Sequence, residues 1–273
     1  MKLDYYTLLS PTPVFLTHVG HIKSPTLLEI SNITYRVYNT YINILLMTID
    51  KYYEMINENS SYFDKYSEEE KDIILNIKSK YNSSTEEEKS ELSFFDIFIY
   101  DKNFCHIMQQ LLNFFFVEDV VYDPTRSVFL IQNGAVDNNG NTLITGIINN
   151  DKYDTVVDVI LQLTKTERSI TEDKTAKVKN KIAERLLQKM KNANQKKKKI
   201  EDKKYELPNL ISALATHSSS LNIINIWNLT IYQFYDQLSR QRLDDTYSSS
   251  IRSVSVWGDK DNKFDDTLWF TQM

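Results

Sequence analysis

Apolar residues along the chain fall into blocks whose spacing changes from one block to the next. Val14 and Leu16 alternate with Phe15 and Thr17, and Gly20 supplies a residue tolerant of positive φ. This predicts a β-hairpin over Pro11 to Lys23. Leu27, Ile30, Ile33, Val37, Tyr41, Ile44, Leu45 and Met47 then recur at helical spacing behind Thr26 and Glu29, a capping-box pair. They predict one helix running to about Lys51. A dense apolar block, Leu92 to Phe116, predicts a helix near Phe104 to Leu112. The run FFVEDVVY, the run Ser127 to Gln132 and the run Thr142 to Ile148 read as three strands, with a turn signal at Asp137 to Gly140. Together they predict a small antiparallel meander. Asn150 is placed to cap a helix carrying Val156, Val157, Ile160 and Leu163. Near the far end, Thr230 and Gln233 have capping-box spacing, and Ile231, Phe234, Tyr235 and Leu238 form one stripe of a helix reaching Arg240.

Between the first helix and the meander the pattern thins. Ser67 with Glu70 and Thr85 with Glu88 are two further capping boxes, each opening on acidic residues that oppose the positive helix end. Only Ile73, Ile74 and Ile77 make an apolar stripe there, so residues 57–92 read as an acidic, exposed, two-helix insertion. The expected fold is α+β, predominantly helical, with an N-terminal β-hairpin, a small antiparallel β-meander and a long charged helical arm. The expected division is 1–163 as an N-terminal body, 164–207 as the Lys-rich arm, and 208–273 as a C-terminal helical segment with an aromatic tail.

Composition supports that class. Of 273 residues 41% are hydrophobic, enough for a core, and only 5 are Gly and 5 Pro, which favours helices over many tight turns. The chain carries a net charge of -5, but unevenly. From Thr164 to Lys204 there are 15 Lys and Arg against 6 Asp and Glu, a local +9 that leaves -14 for the remainder. Such a segment reads as a solvated arm. The run Lys196 to Lys199 is able to neutralise phosphates, but it lacks interleaved aromatics for stacking on bases, so nucleic acid is not the expected partner. A DNA-binding role for Lys165 to Lys204 stays open as an alternative.

Candidate chemistry is sparse. His18 and His21 flank the hairpin turn, but no further zinc ligand is placed by spacing. Cys105 and His106 are adjacent, so on a helix they do not face each other, and the surroundings of Cys105 predict a buried, inert thiol. No phosphate-cradling glycine motif is present. The expectation is a protein with no catalytic, metal or cofactor site. No apolar run is long enough to cross a bilayer and the start lacks a signal-peptide pattern, so a soluble, intracellular protein is expected.

Four stretches resemble the tail or baseplate assembly chaperone-like proteins of phages of Gram-positive bacteria. They are Pro13 to Ile30 (PVFLTHVGHIKSPTLLEI), Ile148 to Leu163, the Lys-rich Val178 to Lys204, and Leu210 to Arg240 with IWNLTIYQFYDQLSR at its centre. The insertion Asn57 to Leu92 departs from that pattern. The resemblance implies a non-enzymatic helper in the host cytoplasm that holds a tail protein (tape measure, baseplate hub or tube) during morphogenesis. Such a role needs an apolar surface for the partner. The candidates are Trp227, Tyr232 and Tyr235 around the C-terminal helix, with Trp257, Trp269 and Phe270 in the tail, because Trp and Tyr are favoured anchors. The alternative within the same setting is a structural component of the tail or baseplate.

Overall fold

The computed structural model describes residues 1–56, 63, 66–136, 140, 142–167, 205–259 and 264–271. The chain is α+β and predominantly helical, with a two-stranded and a three-stranded antiparallel sheet. The arm expected between Thr164 and Lys204 falls almost wholly outside the described residues, as does most of the turn at 137–140. The chain divides into two compact units. One is Met1–Pro25 with Glu29–Glu167. The other is Thr26–Leu28 with Arg168–Met273, of which the described part begins at Tyr205.

The first unit opens with a short helix, α1 (Tyr5–Leu9), and the predicted hairpin, β1 (Val14–Leu16) against β2 (Gly20–Ile22). Val14 and Leu16 are buried and Phe15 is exposed, as alternation requires. The single helix expected to Lys51 is instead three: α2 (Leu27–Ile33), α3 (Tyr35–Leu45) and α4 (Ile49–Met55). Thr34 takes a positive φ of 71°, off the helical region, and its N–H turns back to Ser31 O. The second break is a cap: Thr48 is extended, and its hydroxyl accepts from Lys51 N at 3.4 Å. The apolar spacing runs through both breaks, so periodicity alone does not reveal them.

In the acidic insertion, α5 (Glu68–Ser83) and α6 (Glu86–Glu91) both form, each on a complete capping box, Ser67–Glu70 and Thr85–Glu88. A third box, Ser93–Asp96, starts α7 (Phe94–Phe98) and was not anticipated. Ile74 is buried whereas Ile73 is exposed, so the apolar stripe of α5 is narrow. Tyr66 and Tyr52 both donate to the buried carboxylate of Asp101, at 2.6 and 2.9 Å, and Asp101 also accepts from Phe104 N at 2.9 Å. That carboxylate is the N-cap of α8 (Lys102–Phe115).

Behind α8 the meander runs β3 (Asp119–Asp123), β4 (Val128–Val136) and β5 (Thr142–Ile148) in spatial order β3-β4-β5. Helix α9 (Asn150–Leu163) follows; Asn149, one residue before the expected position, holds its N-cap place without a side-chain cap bond. The core gathers rings: Phe98 sits 5.2 Å from Phe104 and 5.3 Å from Tyr153, and Phe129 of β4 lies 5.4 Å from Tyr122. Met108, Leu111, Val156 and Ile160 close around them with no exposed surface. Cys105 is buried here, its thiol directed at Phe98 O and Ile99 O.

The second unit holds α10 (Leu207–His217), with Pro208 in its first turn where a missing N–H is harmless, and α11 (Ile231–Trp257). Thr230 and Gln233 cap α11 reciprocally, at 3.0 and 3.2 Å. Thr26 bridges to Thr230, and Leu27 N donates to Leu229 O at 2.9 Å. Helix α11 does not stop near Arg240. It continues for 27 residues, and the expected tail residues Ile251 to Trp257 are its last turns. No Gly or Pro interrupts it until Gly258, whose φ of +74° ends it.

Candidate partner-binding surface

Helix α11 changes character along its length. Ile231, Tyr232, Phe234 and Asp236 near its start are buried, and Asp236 is held by Arg240 one turn on, at 3.3 Å. Beyond Arg240 no side chain is buried. Tyr247 and Val254 are half-buried, and Phe264 lies 5.8 Å from the Tyr247 ring. A 3₁₀ turn, Leu268–Phe270, then packs on α11. Asp265 sets that turn by accepting from Thr267 N and its hydroxyl, at 2.9 and 2.6 Å, and these bonds hold the Asp265 carboxyl below its ordinary range.

Exposed rings stand at two places, the last turn of α11 and the 3₁₀ turn. Trp257 is 75% exposed, Val256 70%, Phe270 66% and Trp269 48%. Trp269 and Phe270 stack with centroids 3.9 Å apart and planes 28° apart. Of the six residues expected to anchor a partner, these three aromatics are exposed. Trp227 lies in the 3₁₀ turn Ile226–Asn228 and is half-buried, and Tyr235 is half-buried with its ring 5.3 Å from Phe234. Tyr232 is in the interior, 4% exposed, and offers no surface to a partner. It falls on the buried early face of α11 beside Ile231, a consequence of helical phase. Val256 and Ile251 are exposed as well and lie outside the six anchor candidates. The unbroken run from Ile231 to Trp257, with Gly258 as its stop, is the signal that would have placed them on one helix.

Side chains able to do chemistry are engaged structurally. His21 Nδ1 meets Glu118 Oε1 at 2.6 Å, and Glu118 is held below its usual range by that bond and by His21 N, against the opposing effect of burial. His217 joins α10 to α11 through Asp245 at 2.8 Å. His106 pairs with Gln110 at 3.2 Å. Burial pushes the Cys105 thiol up to about 12, so the thiolate a nucleophile requires is not populated near neutrality. Among the described residues no cluster of three or more His, Cys, Asp or Glu is arranged to hold a metal ion, and no helix is long and apolar enough to cross a membrane.

Residues 193–273 match a phage-associated domain family. That family is YomV second domain, and the matched stretch includes α10, α11, the returning 3₁₀ turn and all six anchor candidates. It covers less than a third of the chain. No curated protein and no solved structure matches.

Proposed function

We propose that this is a non-enzymatic protein of phage tail morphogenesis, a chaperone acting in the host cytoplasm that holds a tail protein such as the tape measure, baseplate hub or tube. The observation that carries the proposal is the exposure of Trp257, Trp269 and Phe270 within the phage-associated segment 193–273. Large apolar rings left in water on the last turn of α11 and on the 3₁₀ turn are costly unless a partner covers them, and aromatic anchors dominate interface energetics. A chaperone needs such a surface to be reachable and reversible, and the acidic balance outside the arm keeps it soluble meanwhile.

The test is co-expression of the full chain with the products of neighbouring tail genes, followed by pull-down. The expected result is capture of one tail protein, weakened about tenfold by Trp257→Ser with Phe270→Ser. Undiminished capture by the variant, or capture of no tail protein, overturns the proposal. Mass spectrometry of purified particles separates the two tail roles: a chaperone is absent from them, and a structural component of the tail or baseplate is present.

A further inference from the structure

The two edges of the three-stranded sheet are finished differently. Along β3, side chains of α8 take the place of a neighbouring strand. Asn113 Nδ2 donates to Val120 O and Asn113 Oδ1 accepts from Val120 N, both at 2.8 Å, and Gln109 Oε1 accepts from Tyr122 N at 2.9 Å. Along β5, the hairpin tip reaches one point: Ile147 N donates to His18 O at 3.0 Å. That approach needs Gly146, because a Cβ there would stand 2.1 Å from Val19 O. Among the described residues no backbone bond from any element other than β4 reaches Thr142 to Thr145. This open stretch is also apolar, with Leu143 44% and Ile144 45% exposed. An unfinished apolar edge is a template for another strand.

Where the open stretch meets α9 there is a pocket of about 340 Å³, lined by Ile144 to Ile147, His18, Asn149 and Lys152. Lys152 forms no ion pair among the described residues and lies where the open edge ends, so an acidic group arriving along that edge is matched there. A free small anion would leave the backbone edge, Leu143 and Ile144 uncovered, whereas a polypeptide bearing an acidic side chain serves the backbone, the apolar side chains and the lysine together.

We propose that this edge is a docking site for an extended segment of a second protein, bearing an acidic side chain, which adds beside β5 as a fourth strand. Main-chain bonds to residues 142–145 give the affinity. Leu143 and Ile144 take alternate side chains, and Lys152 selects the acidic position. This site lies in the first unit and does not depend on the aromatic end of α11.

The test uses a fluorescein-labelled octapeptide alternating valine and aspartate, titrated with the full chain at low salt. Two control peptides accompany it, one N-methylated at alternate amides and one with lysine for aspartate. Saturable binding is expected for the first peptide, weaker by about tenfold for each control and for Lys152→Glu and Ile144→Lys. Ile144 is solvent-facing and Lys152 half-buried; if Ile144→Lys alters the circular dichroism, Lys152→Glu decides. No saturable binding, or equal binding of the N-methylated peptide, overturns the proposal. So does sedimentation showing a dimer of this chain that Ile144→Lys dissociates, because the occupant is then a second copy.

Discussion

The carboxamide of Asn113 pairs with both backbone groups of Val120, donating to its carbonyl and accepting from its N–H, each at 2.8 Å. One side chain on α8 thereby stands in for a whole residue of an absent strand. It explains how β3 ends the sheet without leaving its polar backbone unmet.

Asn113→Ala removes both bonds and leaves Val120 with a part-buried donor and acceptor. A loss of about 1–3 kcal/mol is expected. Urea unfolding with an unchanged slope and a lowered midpoint would show it, and a midpoint equal to wild type would mean water replaces the carboxamide fully.

Gly146→Ala places a methyl where Val19 O already lies, 2.1 Å from the new Cβ. Backbone on both sides leaves little room to yield, so a loss of about 1–3 kcal/mol is expected. Amide exchange at Ile147, whose N–H bonds His18 O, should accelerate in the same variant. Unchanged protection there would refute the close approach.

Asp101 is 1% exposed, and burial raises its carboxyl above the ordinary range despite donors from Tyr66, Phe104 N and Tyr52. A raised folded-state value means that protonation favours the folded chain. The associated stability is present at low pH and lost as pH rises through the folded-state value. Asp101→Asn cannot titrate, and its single oxygen can take the two tyrosine hydroxyls that both reach Oδ2 but leaves no acceptor for Phe104 N, so it is expected to be less stable by about 1–3 kcal/mol. The gap between wild type and variant should widen as pH falls from neutrality toward the ordinary aspartate value of 3.8. Denaturation midpoints of the pair at each pH measure it, and a gap that narrows on acidification contradicts the assignment.

Thr230→Ala breaks the box that starts α11 and should destabilise the second unit by about 1–2 kcal/mol. Thr230→Ser keeps the oxygen that accepts from Gln233 N and should recover most of the loss. If serine rescues nothing, the methyl rather than the cap carries the effect.

Cys105 should not react with an aromatic disulfide reagent in the folded chain at neutral pH and should react fully in denaturant. Its thiol is buried and pushed up to about 12. Rapid native-state labelling would refute this.

Much of the architecture is legible in local pattern. Capping boxes at Ser67, Thr85 and Thr230 formed as spelled, because both partners lie within one turn and need nothing from elsewhere. The meander appeared in its predicted order for a similar reason, each strand being bounded by its own turn residues. What failed was continuity. Thr34 and Thr48 divide an unbroken apolar repeat into three helices, since a change of chain direction costs the pattern nothing when both sides stay buried. Helix α11 erred the other way. Its polar middle, Ser239 to Asp245, looks like an end, yet no residue there stops a helix. The candidate surface was half legible: composition marked the rings, but helical phase put Tyr232 inside and Trp257 outside. The open β5 edge could not be foreseen, because it depends on where the hairpin tip lands, a contact distant in sequence.

That landing has a temporal side. Ile147 closes on His18, and Leu3 N donates to Gln162 Oε1, 159 positions away. As the chain leaves the ribosome, the hairpin must therefore wait for β5 and α9 before either partner exists. Contacts so far apart are slow to close. Until they do, the aromatic residues of α7 and α8 have no lid, and the nascent unit is at its most vulnerable to sticking to its neighbours.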